Sequence, residues 1–218
     1  MKKIEMSVPM SAQVADEIRK GILSGEFRAG QKISVNSLCK VLGVSATPVK
    51  EAFKILQAEG LLVVVPRSGT IISSLARDNL QNIEYIRASL EGVAVYLATK
   101  IITDEQLEAL EQLLQKSTAA AEAGDIETMA SCNTEFHKGL RHASRNHYLI
   151  ALINQVVSVE YSFRKSALKT AEERIQGMKE HYEILRQMQA RDADGAEQAI
   201  IRHIRRTASH VISEKFEK

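Results

Sequence analysis

The chain has 218 residues, 44% apolar and 26% charged, with three prolines and no tryptophan. That composition suits a globular chain rich in helix formers. No apolar run approaches the ~18 residues of a membrane span, and Lys2 and Lys3 lead into no apolar stretch of a secretion signal. Net charge is +2, but residues 1–76 hold ten Lys/Arg against six Asp/Glu, a local +4 that leaves −2 on the remainder. A basic segment on a near-neutral body favours a polyanionic partner for that segment. Cys39 and Cys132 fit no zinc spacing, and a reducing, cytoplasmic location is expected.

In chain order, Ser11 can cap a first helix over residues 12–24, with Val14, Ile18, Ile22 and Leu23 on one apolar stripe. Gly25 and Gly30 bracket a turn. Ser34 can cap a second helix over residues 35–42, and Gly43 can end it as a left-handed terminal residue. Ser45 and Thr47 are candidate caps of a third helix, with Pro48 tolerated in its first turn, running to about residue 58 before Gly60. Two β-branched runs, residues 61–65 and 70–73, flank Pro66-Arg67-Ser68-Gly69 and read as a hairpin. Three helices followed by a hairpin is the order of a winged helix-turn-helix. The tight Gly43-Val44-Ser45 turn lets the third helix present its first turns to a major groove.

Beyond residue 78 the pattern is helical throughout. Six helices are expected at about residues 78–100, 104–123, 125–143, 147–169, 171–191 and 194–216, starting at signals such as Thr103-Asp104 and breaking at Gly124-Asp125 and residues 192–195. The expected architecture is mainly α. A winged helix-turn-helix occupies residues 1–76, and an antiparallel six-helix bundle occupies residues 77–218.

Three of those helices carry inward histidines. Met129, Asn133, Phe136, His137 and Leu140 share one face; Met178, His181, Leu185 and Met188 share another; Ile200, His203, Ile204, Thr207 and Val211 a third. Asn133 lies one turn before His137, so the two side chains stack on the same face. Buried imidazoles need hydrogen-bond partners or a ligand. Three of them with one oxygen donor make a sound site for a first-row divalent metal. Cys132 projects about 100° away from Asn133 on a helix and is not expected to ligate. His142, His147 and His210 fall near helix ends or outer faces. Arg87 lies on the same side as Ile83, Leu90 and Ala94, where a charge needs a partner. It either pairs with an acid of this chain or clamps a ligand carboxylate bidentately.

Both halves resemble one family, the GntR superfamily of regulators with a FadR-type C-terminal (FCD) domain. In the first half the resemblance rests on Ile22-Leu23-Ser24-Gly25, Leu42-Gly43-Val44-Ser45, Thr47-Pro48-Val49-Lys50-Glu51-Ala52 and Arg67-Ser68-Gly69-Thr70. In the second it rests on Arg87-Ala88-Ser89-Leu90-Glu91, Asn133-Thr134-Glu135-Phe136-His137, Glu180-His181 and Arg202-His203. Six bundle helices rather than seven is similar to the shorter, VanR-type branch. The resemblance implies a homodimer on a pseudo-palindromic double-stranded operator. It also implies a divalent metal (zinc, nickel or manganese) held by Asn133, His137, His181 and His203. A metal with open positions beside the buried guanidinium of Arg87 is an anion trap, so a small organic acid is the expected effector, one carboxylate oxygen on the metal and Arg87 pairing with a carboxylate. Asn133 replaces the more usual Asp, removing one negative charge. Operator contacts are expected from Asn36, Ser45, Thr47 and Lys50, with the wing placed by Arg67 and Gly69. Ala46, Lys50 and Asn36 stand where family members carry Arg, which implies an operator less dependent on guanine. A repressor is the expected function. The rival readings are a metalloenzyme and a DNA-free interaction module. The enzyme would need a base beside the metal, and Glu135 and Glu180 both point off the metal-facing stripe.

Overall fold

The structure is a computed structural model that describes residues 9–74, 76–156, 168 and 170–216. The chain divides into two compact units, Met1–Ile83 with Ile212–Lys218, and Glu84–Val211.

The first unit begins with α1 (Met10–Ser24), β1 (Lys32–Ile33), α2 (Val35–Leu42) and α3 (Ala46–Ala58), followed by β2 (Leu62–Val65) and β3 (Gly69–Ile72). Helix α1 starts earlier than Ser11 would dictate. The amides of Ala12 and Gln13 both donate to the carbonyl of Pro9, at 3.0 and 3.2 Å, so the first turn closes on Pro9 and Ser11 lies inside the helix. Ser34 does cap α2, its hydroxyl accepting from the amide of Ser37 at 3.1 Å. Gly43 ends α2 at φ 66°, a left-handed conformation that penalises any β-carbon. Ser45 precedes α3 without a side-chain cap bond. Helix α3 buries Val49, Ala52, Phe53 and Leu56, and α1 is tied to its end by the buried Arg19, whose Nε donates to Glu59 Oε2 at 2.8 Å.

The sheet has the order β1-β3-β2, antiparallel throughout, with Leu62 opposite Ile72 and Val65 opposite Gly69. The hairpin was expected, its second strand starting one residue earlier than the pattern placed it. Strand β1 was not expected, because two residues carry no periodicity. At the hairpin tip Arg67 is left-handed at φ 64° and Gly69 sits at φ 95°.

Among the described residues six helices follow: α4 (Ala76–Ile101), α5 (Asp104–Glu122), α6 (Ile126–Ala143), α7 (His147–Val156), α8 (Ala171–Gln189) and α9 (Ala193–Phe216). Their starts are set locally. Thr103 and Gln106 form a reciprocal capping box at α5, and Asp125 and Thr170 cap α6 and α8. Of the helix expected over residues 147–169, the part beyond Val156 lies outside the described residues, Leu168 apart. The apolar faces of α4, α5, α6, α8 and α9 meet in one core containing Val95, Leu114, Phe136, Leu140, Leu185 and Ile200. Among the described residues no helix is long and apolar enough to cross a membrane.

Candidate functional site

Helices α6, α8 and α9 bring His137, His181 and His203 together inside the second unit, at 1, 4 and 7% exposure. One ring nitrogen from each lies within 4.8 Å of the other two. Ring centroids are 5.2 Å apart for His137 and His181, 5.4 Å for His137 and His203, and 4.5 Å for His181 and His203. The Nε2 atoms of His181 and His203 approach to 3.2 Å. Two ligands held ~2.1 Å from a tetrahedral zinc stand ~3.4 Å apart, so this convergence is of the right size for a shared cation. A second observation fits the same group. Asn133 lines the same small cavity of about 40 Å³, and its Oδ1 is buried without a hydrogen-bond partner. A buried carbonyl oxygen left without a donor is costly; a cation would satisfy it. Cys132 is buried apart from the histidine group, and burial pushes its thiol upward.

His203 is gripped from behind. Its Nδ1 lies 2.7 Å from Glu180 Oε2. With that nitrogen carrying the proton, Nε2 presents its lone pair toward His181. Arg206 binds Glu180 through Nη2 at 3.1 Å as well as through Nε, and binds Glu173 through Nη1 at 2.7 and 2.9 Å. Burial alone would raise Glu180, but the hydrogen bonds from His203 and Arg206 outweigh it and hold the carboxyl at about 2. Burial lowers His203 below the usual histidine value, with Glu180 opposing. Glu180 does leave the face that His181 presents, as the helical period requires, yet it reaches α9 and bonds a histidine of the cluster. His210, whose Nδ1 lies 3.6 Å from Glu173 Oε1, stands at the far end of this network.

Arg87 also lines the cavity, buried to 4% exposure. One partner is on its own helix. Glu84 Oε2 accepts from Nε at 2.9 Å and lies 2.6 Å from Nη2. One turn further along α4, buried Glu91 pairs with buried Arg141 of α6 at 3.3 Å. Arg141 Nε also donates to the carbonyl of His137 at 3.2 Å.

In the first unit Asn36, Ser45, Ala46, Thr47 and Lys50 are exposed, as are Arg67 and Gly69 at the hairpin tip. The buried face of α3 leaves Lys50, Glu51 and Lys54 outward. Lys32 of β1, which no sequence pattern singled out, lies across the wing turn. Its Cε stands 3.3 Å from where a β-carbon on Gly69 would be.

A winged helix-turn-helix with an open, polar α3, followed by a helical domain built around a histidine cavity, defines a DNA-binding transcriptional regulator. The sequence matches the FCD domain over residues 83–206 and the bacterial regulatory proteins of the gntR family over residues 10–72. The chain belongs to the GntR regulators that carry an FCD domain, which are transcriptional regulators and not enzymes. The HTH-type transcriptional regulator YdhC of Bacillus subtilis is 29% identical over 211 residues, 96% of this chain and 94% of that one. A probable D-xylose utilization operon transcriptional repressor of Paenarthrobacter nicotinovorans is 29% identical over 89% of this chain and 85% of its own. The solved structure of E. coli McbR/YncC matches with a TM-score of 0.67 at 25% identity, covering 95% of this chain and 99% of that one.

Proposed function

We propose that this protein is a cytoplasmic homodimeric repressor that holds a pseudo-palindromic operator and releases it when a small organic acid enters the histidine cavity. Asn133, His137, His181 and His203 hold a divalent zinc, nickel or manganese ion, which when bound supplies a Lewis-acidic contact for a carboxylate oxygen. Arg87 adds the guanidinium that pairs with a carboxylate in a bidentate fork. The reading is supported above all by the buried Asn133 Oδ1, which lines the same cavity as three converging histidines and lacks a donor. Ser45, Thr47 and Lys50 of the α3 start enter the major groove, with Asn36 beside them, and Arg67 and Gly69 set the wing at the minor groove. A two-fold dimer matches the two halves of such an operator.

Purification without chelator tests the metal. We expect about one divalent ion per chain by elemental analysis, and His181→Ala loses it together with thermal stability, because binding to the folded state adds to folding free energy. No ion in the wild type, and no rise in melting temperature on adding zinc, nickel or manganese, overturns the metal. Mobility shifts on the DNA upstream of the gene test the rest. Lys50→Ala and Arg67→Ala each weaken binding. The logarithm of the affinity falls linearly with the logarithm of salt concentration, with a slope of ~0.9 for each phosphate the protein neutralises. Wild-type binding by both variants at physiological salt overturns this docking.

A further inference from the structure

Among the described residues five charged side chains line the cavity: Glu84, Arg87, Glu173, Arg174 and Arg206. Their carboxylates are not equivalent. Both oxygens of Glu173 accept from Arg206. Glu84 gives Oε2 to Arg87, while its Oε1 is buried and has no hydrogen-bond partner. The whole residue is 1% exposed. A carboxylate oxygen taken out of water and left without a donor bears the full desolvation cost of that acceptor. An acid bringing only a carboxylate into this space would leave that oxygen unsatisfied and set a second negative charge near it. An acid that also carries a donor relieves both penalties.

We infer that Glu84 sets effector specificity: the ligand is a small acid bearing a hydroxyl or ammonium donor, and Glu84 Oε1 accepts from that donor. This rests on the carboxylate-binding reading above and narrows it. A dicarboxylate meets Glu84 with like charge and is disfavoured. The cavity, about 40 Å³, admits few heavy atoms, so donor and carboxylate sit close together on a short carbon chain. A 2-hydroxy acid and a 2-amino acid share this chemistry and differ only in the donor's charge.

Calorimetry on the full-length, metal-loaded protein with three acids of one carbon skeleton decides it: propionate, 2-hydroxypropionate and alanine. A hydrogen bond to a charged group corresponds to about ten- to hundredfold in affinity. We expect 2-hydroxypropionate or alanine to bind tighter than propionate by that factor, with the better of the two identifying the donor. Glu84→Gln, checked for native melting and metal content, brings the preferred acid down to the level of propionate. If the variant does not fold, the wild-type series still decides. Equal binding of all three acids overturns the role of Glu84 and leaves the carboxylate reading standing. So does an unchanged preference in a folded Glu84→Gln protein. Failure of all three to bind overturns the carboxylate reading and the inference with it.

Discussion

At the scale of single residues, the histidine cluster is oriented by a side chain that does not belong to it. Glu180 fixes the ring of His203 through Nδ1 and is itself fixed by Arg206. Removing such an outer partner typically costs about 10–100-fold in metal affinity. Glu180→Gln is expected to show that loss in a chelator competition, while the nitrogen resonances of His203 in the metal-free protein report a change of tautomer. Retained affinity with an unchanged tautomer would show that Glu180 only supports packing. Acid acts on the same residues with a definite sign. His203 is depressed below its unfolded value, so the stability it contributes is complete above ~6.5 and is lost as pH falls through its lower folded value. Glu180, held at about 2 against 4.5 unfolded, contributes above 4.5 and loses that contribution only as pH falls toward 2. Chelator-treated protein should therefore lose stability in two stages on acidification in urea melts, the first diminished in His203→Gln. Metal affinity falls over the first stage too, since only neutral imidazole ligates. The three histidines were legible because each occupies a core slot of a 3.6-residue period. Periodicity puts Glu180 off the metal-facing stripe because it reports the side of one helix, whereas its partner His203 lies 23 residues on. Glu84 and Arg141 escaped for a similar reason: a buried ion pair looks, in sequence, like an interruption of an apolar stripe.

At the scale of elements, the helix boundaries were the most legible feature, because caps are local chemistry. Ser34, Gly43, Thr103 and Asp125 all act where the sequence placed them. Ser11 does not, since the carbonyl of Pro9 captures the first free amides before the serine can. Strand β1 was invisible because its pairing with β3 is long-range, Lys32 opposite Ile71, and two residues show no alternation. That pairing also carries Lys32 to the wing turn, so a basic residue outside both helix and hairpin joins the candidate DNA surface. The turn between α2 and α3 can be tested directly. A β-carbon at Gly43 meets nothing within 4 Å, so the cost of Gly43→Ala is purely conformational at φ 66°. About 1–2 kcal/mol is expected, read as a lower urea midpoint with an unchanged slope. Gly43→Asn should recover most of it, because Asn tolerates the left-handed region. A large loss with both substitutions would mean that the turn is packed against something.

At the scale of the whole molecule, the proposed release mechanism requires that events in one compact unit bias the other, and thermodynamics limits the form this can take. Under that mechanism an acid could favour operator release only by binding more tightly to the state that does not fit DNA. Helix α4 carries Glu84 and Arg87 to the cavity and follows the wing in the chain. A change in the Glu84–Arg87 pair on ligand binding is therefore a chemically specific event on the element that begins just after the DNA-binding fold. If that pair is the bistable element, Arg87→Lys, which keeps the charge but loses the fork, should weaken coupling more than it weakens DNA binding. The decisive measurement is reciprocal. Operator affinity is measured with and without saturating acid, and acid affinity with and without saturating operator, on the same metal-loaded dimer at one salt concentration. A coupling of ~1–3 kcal/mol appears as a roughly 5–150-fold weakening, and linkage requires the same factor in both directions. Unequal factors would point to a change in oligomeric state between the two titrations, which sedimentation at both concentrations detects. Equal factors of one, with the acid bound in the cavity, would leave a regulator whose DNA binding and ligand binding are independent, and the release mechanism would be wrong. Equal factors in the opposite direction would make the acid a co-repressor, holding the operator rather than freeing it. Footprinting closes the argument on the dimer: two protected half-sites about one helical turn apart are expected, and a single unpaired half-site contradicts the two-fold reading.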